Sequence, residues 1–196
     1  MENAKQKKPS SLHYFLREIT IVVIGVLIAV TINNYKERFD NNRFVESTLT
    51  AIENEVETNQ TELDTVLKRH LIMVEKLEAM DFDKSLSLGD MIGELGGFQV
   101  ASVRNISLRF FISNKAELLD YQLISQLTAI ETQTGFLTYK IDRLADYVYK
   151  NMNDTTEVSK LTFTNILYDV IDSESNLLES YSQFLEENKA FLGLDE

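Results

Sequence analysis

The chain has 196 residues, 44% hydrophobic and 26% charged, with a net charge of −12, seven glycines, one proline and no cysteine. The length admits one compact domain plus an extra segment, and the composition excludes wholesale disorder. Without cysteine there can be no disulfide, thiolate metal site, iron–sulfur cluster or thiol nucleophile.

The charge is uneven. Residues 1 to 32 carry a net +2, while the remaining residues hold 15 basic and 29 acidic groups. So acidic a surface repels phosphates, and nucleic acid is not an expected partner. The scarcity of glycine and proline predicts long uninterrupted helices and an all-α fold.

Residues 1–11 hold Lys5, Lys7 and Lys8 and read as a basic, disordered N-terminus. Beside anionic lipid each lysine would contribute about 1 kcal/mol. Ile19 to Ile32 is free of charge. At about 1.5 Å per residue this stretch falls short of a hydrocarbon core roughly 30 Å thick. The flanks extend it. Leu12, Phe15 and Leu16 continue the apolar face, Tyr14 and Tyr35 stand where interfacial aromatics belong, and Arg17 can snorkel to the headgroups. Residues 12–35 therefore read as a transmembrane anchor.

A cleaved signal peptide shares the basic start and the short apolar core, but no small-x-small site follows the run. Four Lys/Arg precede the span and three (Lys36, Arg38, Arg43) follow it closely, which leans to a cytoplasmic N-terminus. Within the span, Glu18, Val22, Gly25, Ala29 and Ile32 recur at spacings of four and three and share one stripe. Gly25 and Ala29 form a small-xxx-small pair, the pattern that lets a second helix approach closely in lipid. This stripe is the candidate helix-packing interface.

Residues 36–196 read as an acidic helical bundle domain. From Asn33 to about Met80 one polar-rich helix is expected, with Val45, Leu49, Ile52, Val56, Leu63, Val66 or Leu67, Leu71, Val74 and Leu77 on its apolar stripe and Asn59 and His70 near it. That stripe needs cover, from this chain or a second one. Residues 81–104 hold four of the seven glycines and predict a short helix between two loops. A second break is expected near Ser113 to Asp120.

Leu123, Leu127, Ile130, Thr134, Leu137, Ile141, Leu144 and Val148 then alternate spacings of four and three, the pattern of a long helix. After "NMNDTT", with Asp154 or Thr155 as N-cap, a last helix runs through Val158, Leu161, Phe163, Ile166, Val170, Leu177, Tyr181, Phe184 and Leu185, with a bend near "DSES". Long amphipathic helices plus short ones predict an up-and-down bundle on a membrane anchor.

Glu18, Ile19, Val22, Val23, Gly25 to Ala29 and the "INNY" of Ile32 to Tyr35 also resemble a known membrane segment. It belongs to an uncharacterised family of small single-pass proteins found mainly in Bacteroidota, whose pattern is roughly E-I-x-x-V-V-x-G-(V/I)-L-I-A-L-x-I-N-N-W. Tyr35 stands where that family usually has tryptophan, and Val30 where it has leucine. "SLRFFISNKAELLDYQLISQL" is more loosely similar to a helix–turn–helix passage downstream in such proteins. The resemblance implies a bacterial inner-membrane location and no particular activity. Pilin-like proteins also begin with a glutamate and an apolar helix, but the glycine they need before their cleavage point is replaced here by His13.

Chemistry-bearing patterns are sparse. Only two histidines exist, His13 and His70, and the positions four away from His70 are Val66 and Val74, so His70 is expected as a partly buried or surface helix histidine. Asp81, Asp83 and Ser85 open like a calcium loop, but Leu86 and Ile92 stand where glycine and glutamate are needed. Glu53 and Glu57 share a face without a Glu-x-x-His partner and read as solvated. "GDMIGELGG" lacks the Lys-Ser/Thr of a phosphate loop, and no G-x-S-x-G elbow occurs.

The expectation is a membrane-anchored, non-enzymatic helical interaction or scaffold protein without cofactor or metal. Its partners would be membrane lipid and either a second copy or another membrane protein. The alternative is an extracytoplasmic small-ligand sensor or an accessory subunit of a membrane complex.

Overall fold

The computed structural model describes residues 11–80, 85–119 and 121–188, with Ser11 and His13 in backbone only. The basic stretch 1–10 and the start of the calcium-loop mimic, Asp81 and Asp83, lie outside the described residues. Among the described residues all regular structure is helical. The chain divides into two units, Met1–Glu46 and Ser47–Glu196.

The first unit contains the leading part of α1 (Ser11–Ala79), which starts one residue before the predicted span and ends one residue before the predicted limit. Every side chain described from Leu12 to Asp40 is exposed. The two threonines of the apolar stretch satisfy their own hydroxyls: Thr20 Oγ1 donates to the Leu16 carbonyl and Thr31 Oγ1 to that of Leu27, both at 2.8 Å. Neither hydroxyl is left unpaired on this exposed stretch of helix.

In the second unit α1 continues beside α2 (Leu88–Glu94), α3 (Ile106–Lys115), a 3-10 turn (Ala116–Leu118), α4 (Tyr121–Asn151) and α5 (Glu157–Glu187). The core forms as the periodicity predicts: Leu49, Ile52, Val56, Leu63, Val66, Val74 and Leu77 of α1 are buried. So are Leu123, Leu127, Ile130, Leu137 and Leu144 of α4 and Phe163, Leu167, Val170, Leu177, Tyr181 and Phe184 of α5. Apart from Leu71, the α1 stripe from Leu49 onward is therefore covered by this chain.

Some positions differ from expectation. Leu71 is half exposed, because the stripe passes through His70, Met73 and Val74, and Leu71 lies about 100° round the helix from His70. Val158 and Leu161 are exposed, since the buried face of α5 starts with Ser159 and Lys160. Thr156, rather than Asp154 or Thr155, caps α5 by accepting from the Ser159 amide, while Asp154 accepts from the Thr156 amide at 2.8 Å. That bond holds the Asp154 carboxyl below its usual range. "DSES" sits inside α5 without a break, its Ser173 and Glu174 both buried.

Side-chain bonds fix the helix directions. Gln60 meets Ser182, His70 meets Glu174 and Glu78 meets Tyr168, so α5 runs antiparallel to α1. Gln133 meets Ser180, Lys140 the Asp169 carbonyl and Tyr147 the Ser159 carbonyl, so α5 is antiparallel to α4 as well. Helices α1 and α4 are thus parallel, and the chain between them must travel back along the unit.

That return leg is α2, an extended strap and α3. The start of α2 is held by the α4–α5 turn: the Leu88 and Gly89 amides donate to the Asp154 and Met152 carbonyls, both at 2.8 Å. The approach is close enough that a Cβ on Gly89 would lie 2.7 Å from Met152 Cγ. Gly96 and Gly97, at φ of +98° and +78°, then turn the chain into the strap, a conformation that L side chains resist.

Candidate functional site

The predicted packing residues Glu18, Val22, Gly25, Ala29 and Ile32 lie on one helical stripe of the first unit, and all are exposed. A Cβ built on Gly25 meets nothing within 4 Å, so the glycine answers no need inside this chain. The stripe offers packing surface and no chemistry, since Glu18 is its sole ionisable member.

The chemistry of the second unit lies along a polar ladder on α1. Glu55, Asn59, Glu62 and His70 recur at helical spacing and hold the return strap, which runs antiparallel to α1. Glu55 accepts from the amides of Ile106 (2.8 Å), Ser107 (3.0 Å) and Leu108 (3.4 Å). These are the orphan amides of the first turn of α3, so α1 supplies the cap that Asn105, the residue at the N-cap position, does not.

Asn105 is committed elsewhere, donating to Thr134 Oγ1 at 2.9 Å. Asn59 grips both backbone groups of Arg104, donating to its carbonyl at 2.6 Å and accepting from its amide at 3.0 Å. Glu62 accepts from the Ser102 amide at 2.8 Å.

At the end of the ladder His70 is completely enclosed. Nε2 lies 2.9 Å from the Gln99 carbonyl, which can only accept, so Nε2 carries a proton. Nδ1 lies 3.0 Å from Glu174 Oε2, and the ring stacks on Phe98 at 4.7 Å between centroids. Glu174 is 0% exposed. Expected as partly buried or on the surface, His70 is instead fully buried, and it ties α1 to both α5 and the strap. Both ring nitrogens are occupied, so the imidazole has no free position to act as a base or ligand. Among the described residues no group of three metal-ligating side chains converges.

Glu174 Oε1 and Tyr181 Oη are buried without a hydrogen bond. Burial pushes the Tyr181 hydroxyl up to about 12, and Thr134 and Asn59 lie close enough to temper this without closing a bond of normal geometry. The ladder's reach across the fold was not readable from the sequence. Glu174 sits in a "DSES" that resembles any solvated turn, and only the 104-residue separation closed by folding pairs it with His70.

Glu53 departs from the solvated reading given to the Glu53/Glu57 pair. Glu57 is exposed, but Glu53 is 7% exposed. Burial first, and the Glu57 charge second, raise its carboxyl above the usual value. The native state then binds the Glu53 proton more tightly than the unfolded chain, so this group's contribution falls as pH rises above about 4.3. Glu53→Gln should therefore raise the thermal midpoint at pH 7, with the gain vanishing near pH 4; an equal midpoint shift at both pH values would contradict this.

Fold and site together define an all-α chain with one helix, near the N-terminus, long and apolar enough to cross a membrane, joined to a helical unit with its own core. Residues 18–93 match the sequence model of a family of unknown function, DUF6090. The match takes in the apolar stretch, the ladder residues of α1 and nearly all of α2, and agrees with the resemblance to an uncharacterised family. No curated protein and no solved structure matches the chain.

Proposed function

We propose that this is a single-pass, membrane-anchored helical interaction protein that packs against a second copy of itself, or against another membrane protein, through the stripe of Glu18, Val22, Gly25, Ala29 and Ile32. One observation carries the reading. The charge-free stretch Ile19–Ile32 is fully uncovered, while the second unit completes its core without it. Apolar surface on that scale calls for lipid or protein cover, and a small-xxx-small pair suits helix contact within lipid. The role is non-enzymatic, with no cofactor. The resemblance and the positive-inside bias support a bacterial inner-membrane location, with the N-terminus cytoplasmic and the acidic unit periplasmic.

The test is crosslinking and affinity purification from native membranes, with wild type beside Gly25→Leu/Ala29→Leu. A wild-type dimer or partner complex that weakens at least several-fold in the double variant is expected for a close helix contact. Recovery of neither complex from the wild type removes the reading. Protease digestion of spheroplasts should cleave the acidic unit; protection would reverse the orientation.

The sensor alternative has one observation in its favour, a cleft of about 350 Å³ lined by Arg69, His70, Ile72, Met73, Leu95 to Gly97 and Gln99. It stands second because His70 and the Gln99 carbonyl are already bonded to each other there.

A further inference from the structure

The contacts of the buried His70–Glu174 pair fix how many protons it holds. Nε2 of His70 faces the Gln99 carbonyl at 2.9 Å and must donate, while Nδ1 faces Glu174 Oε2 at 3.0 Å with one proton between them. Two arrangements satisfy both contacts: imidazolium beside carboxylate, or Nε2–H imidazole beside carboxylic acid. Both are neutral overall, and both hold one proton more than a neutral histidine beside a carboxylate.

No other proton count keeps the pair intact. With the shared proton gone, one N–H remains for two acceptors. It goes to Nδ1, because a bond to a carboxylate is about twice as strong as one to a neutral carbonyl. Nε2 then turns a lone pair on the Gln99 carbonyl, and the contact between α1 and the strap fails. With a second proton added, the pair becomes an enclosed cation without a counter-charge. Its new O–H finds no acceptor, since Glu174 Oε1 is buried without a hydrogen bond among the described residues.

The elements packed around the pair bring no competing buried charge. On α1, Arg69 is exposed and Glu62 is committed to the Ser102 amide. The acids of α2, Asp90 and Glu94, are exposed, and residues 95–103 contain no ionisable side chain. The buried residues of α4 are all uncharged. On α5 the other buried ionisable groups, Lys160 and Tyr181, lie at least about 10 Å along the helix from Glu174.

We propose that the His70–Glu174 pair is a proton-dependent latch on the return strap, closed while the pair holds its shared proton and released from Gln99 when that proton leaves. His70 and Gln99 both line the cleft of about 350 Å³, so release frees one of its walls. The latch lies wholly within the second unit and does not rest on the membrane reading.

The dependence on pH has a definite sign. In an unfolded chain histidine sheds its proton above about pH 6.5, and glutamate takes one up below about pH 4.3. Between these values the folded and unfolded chains hold equal numbers of protons at the two residues, and the latch contributes its full stability. Above about pH 6.5 the unfolded chain loses a proton that the folded pair retains, so the contribution falls as pH rises; below about pH 4.3 it falls as pH falls.

The test is denaturant titration of the full chain in detergent micelles, wild type beside Glu174→Gln. In the variant the glutamine amide donates to Nδ1 and Nε2–H still holds Gln99, so both contacts form with one proton fewer. Every other ionisable group cancels between the two chains. The ratio of unfolding constants, wild type over Glu174→Gln, should therefore rise about tenfold per pH unit between about pH 5.5 and 7.5. A ratio that stays flat over this range overturns the proposal. If Glu174→Gln does not fold, ring ¹⁵N spectra of His70 in a His13→Gln background decide. Nε2 should be protonated at about pH 6 and bare at the alkaline end of the folded range; protonation of Nε2 throughout, or its absence at the lower pH, overturns the latch.

Discussion

His70→Ala should lower the unfolding free energy by about 3–5 kcal/mol, the largest loss expected from a polar substitution in this chain. The substitution leaves Glu174 sealed in the core without its partner, frees the Gln99 carbonyl from its donor and removes the ring stacked on Phe98. The cost comes from the stranded carboxyl group more than from the lost attraction, because a polar group sealed in the core can neither reach water nor find another partner. The double variant His70→Leu/Glu174→Leu removes both partners and restores apolar contact. It should therefore be markedly more stable than His70→Ala, although the Gln99 carbonyl still lacks a donor. Denaturant titration of the full chain in detergent micelles, with a double-mutant cycle, measures this. If His70→Ala costs under 1 kcal/mol, or the double variant loses as much as the sum of the singles, the pair is not the joint described here.

Asn59→Leu is expected to cost about 2–3 kcal/mol, because it unmakes the two bonds that grip the backbone of Arg104 and leaves those groups part-buried. Its effect should be local. The strap between Gly97 and Asn105 should exchange its amide hydrogens much faster, while the α4–α5 contact keeps its protection, since those helices pack on each other without the strap. Uniform loss of protection across α4 and α5 would show that the strap is integral to their packing.

The two variants separate the roles of the ladder. His70 joins three elements and its loss acts on the whole unit, whereas Asn59 holds the return leg in place. Glu55 adds a cap for α3 from another helix, an arrangement possible only because the strap runs antiparallel to α1.

The sequence by itself determined the helices and their inward faces. The four-three spacing from Leu123 to Leu144 and from Leu49 to Val66 predicts burial because a 3.6-residue helix can turn such positions to one side only. The break at residues 81–104 was legible because glycine at positive φ leaves a compositional mark, and so was the apolar stretch, because length and charge decide whether a helix can cross lipid.

Only the tertiary structure decided how the helices are arranged and which polar residues join them. Helices α1 and α4 are parallel because each packs antiparallel to α5, and no local pattern in either one encodes that choice. Glu53 reads as solvated because its charge marks it so, and nothing local to His70, Lys160 or Glu174 says that they are fully buried; their burial depends on which helix arrives opposite, through a contact over a hundred residues apart in the case of His70 and Glu174. Periodicity reports which side of a helix faces inward, but the partner it meets there is settled by the packing of the whole chain.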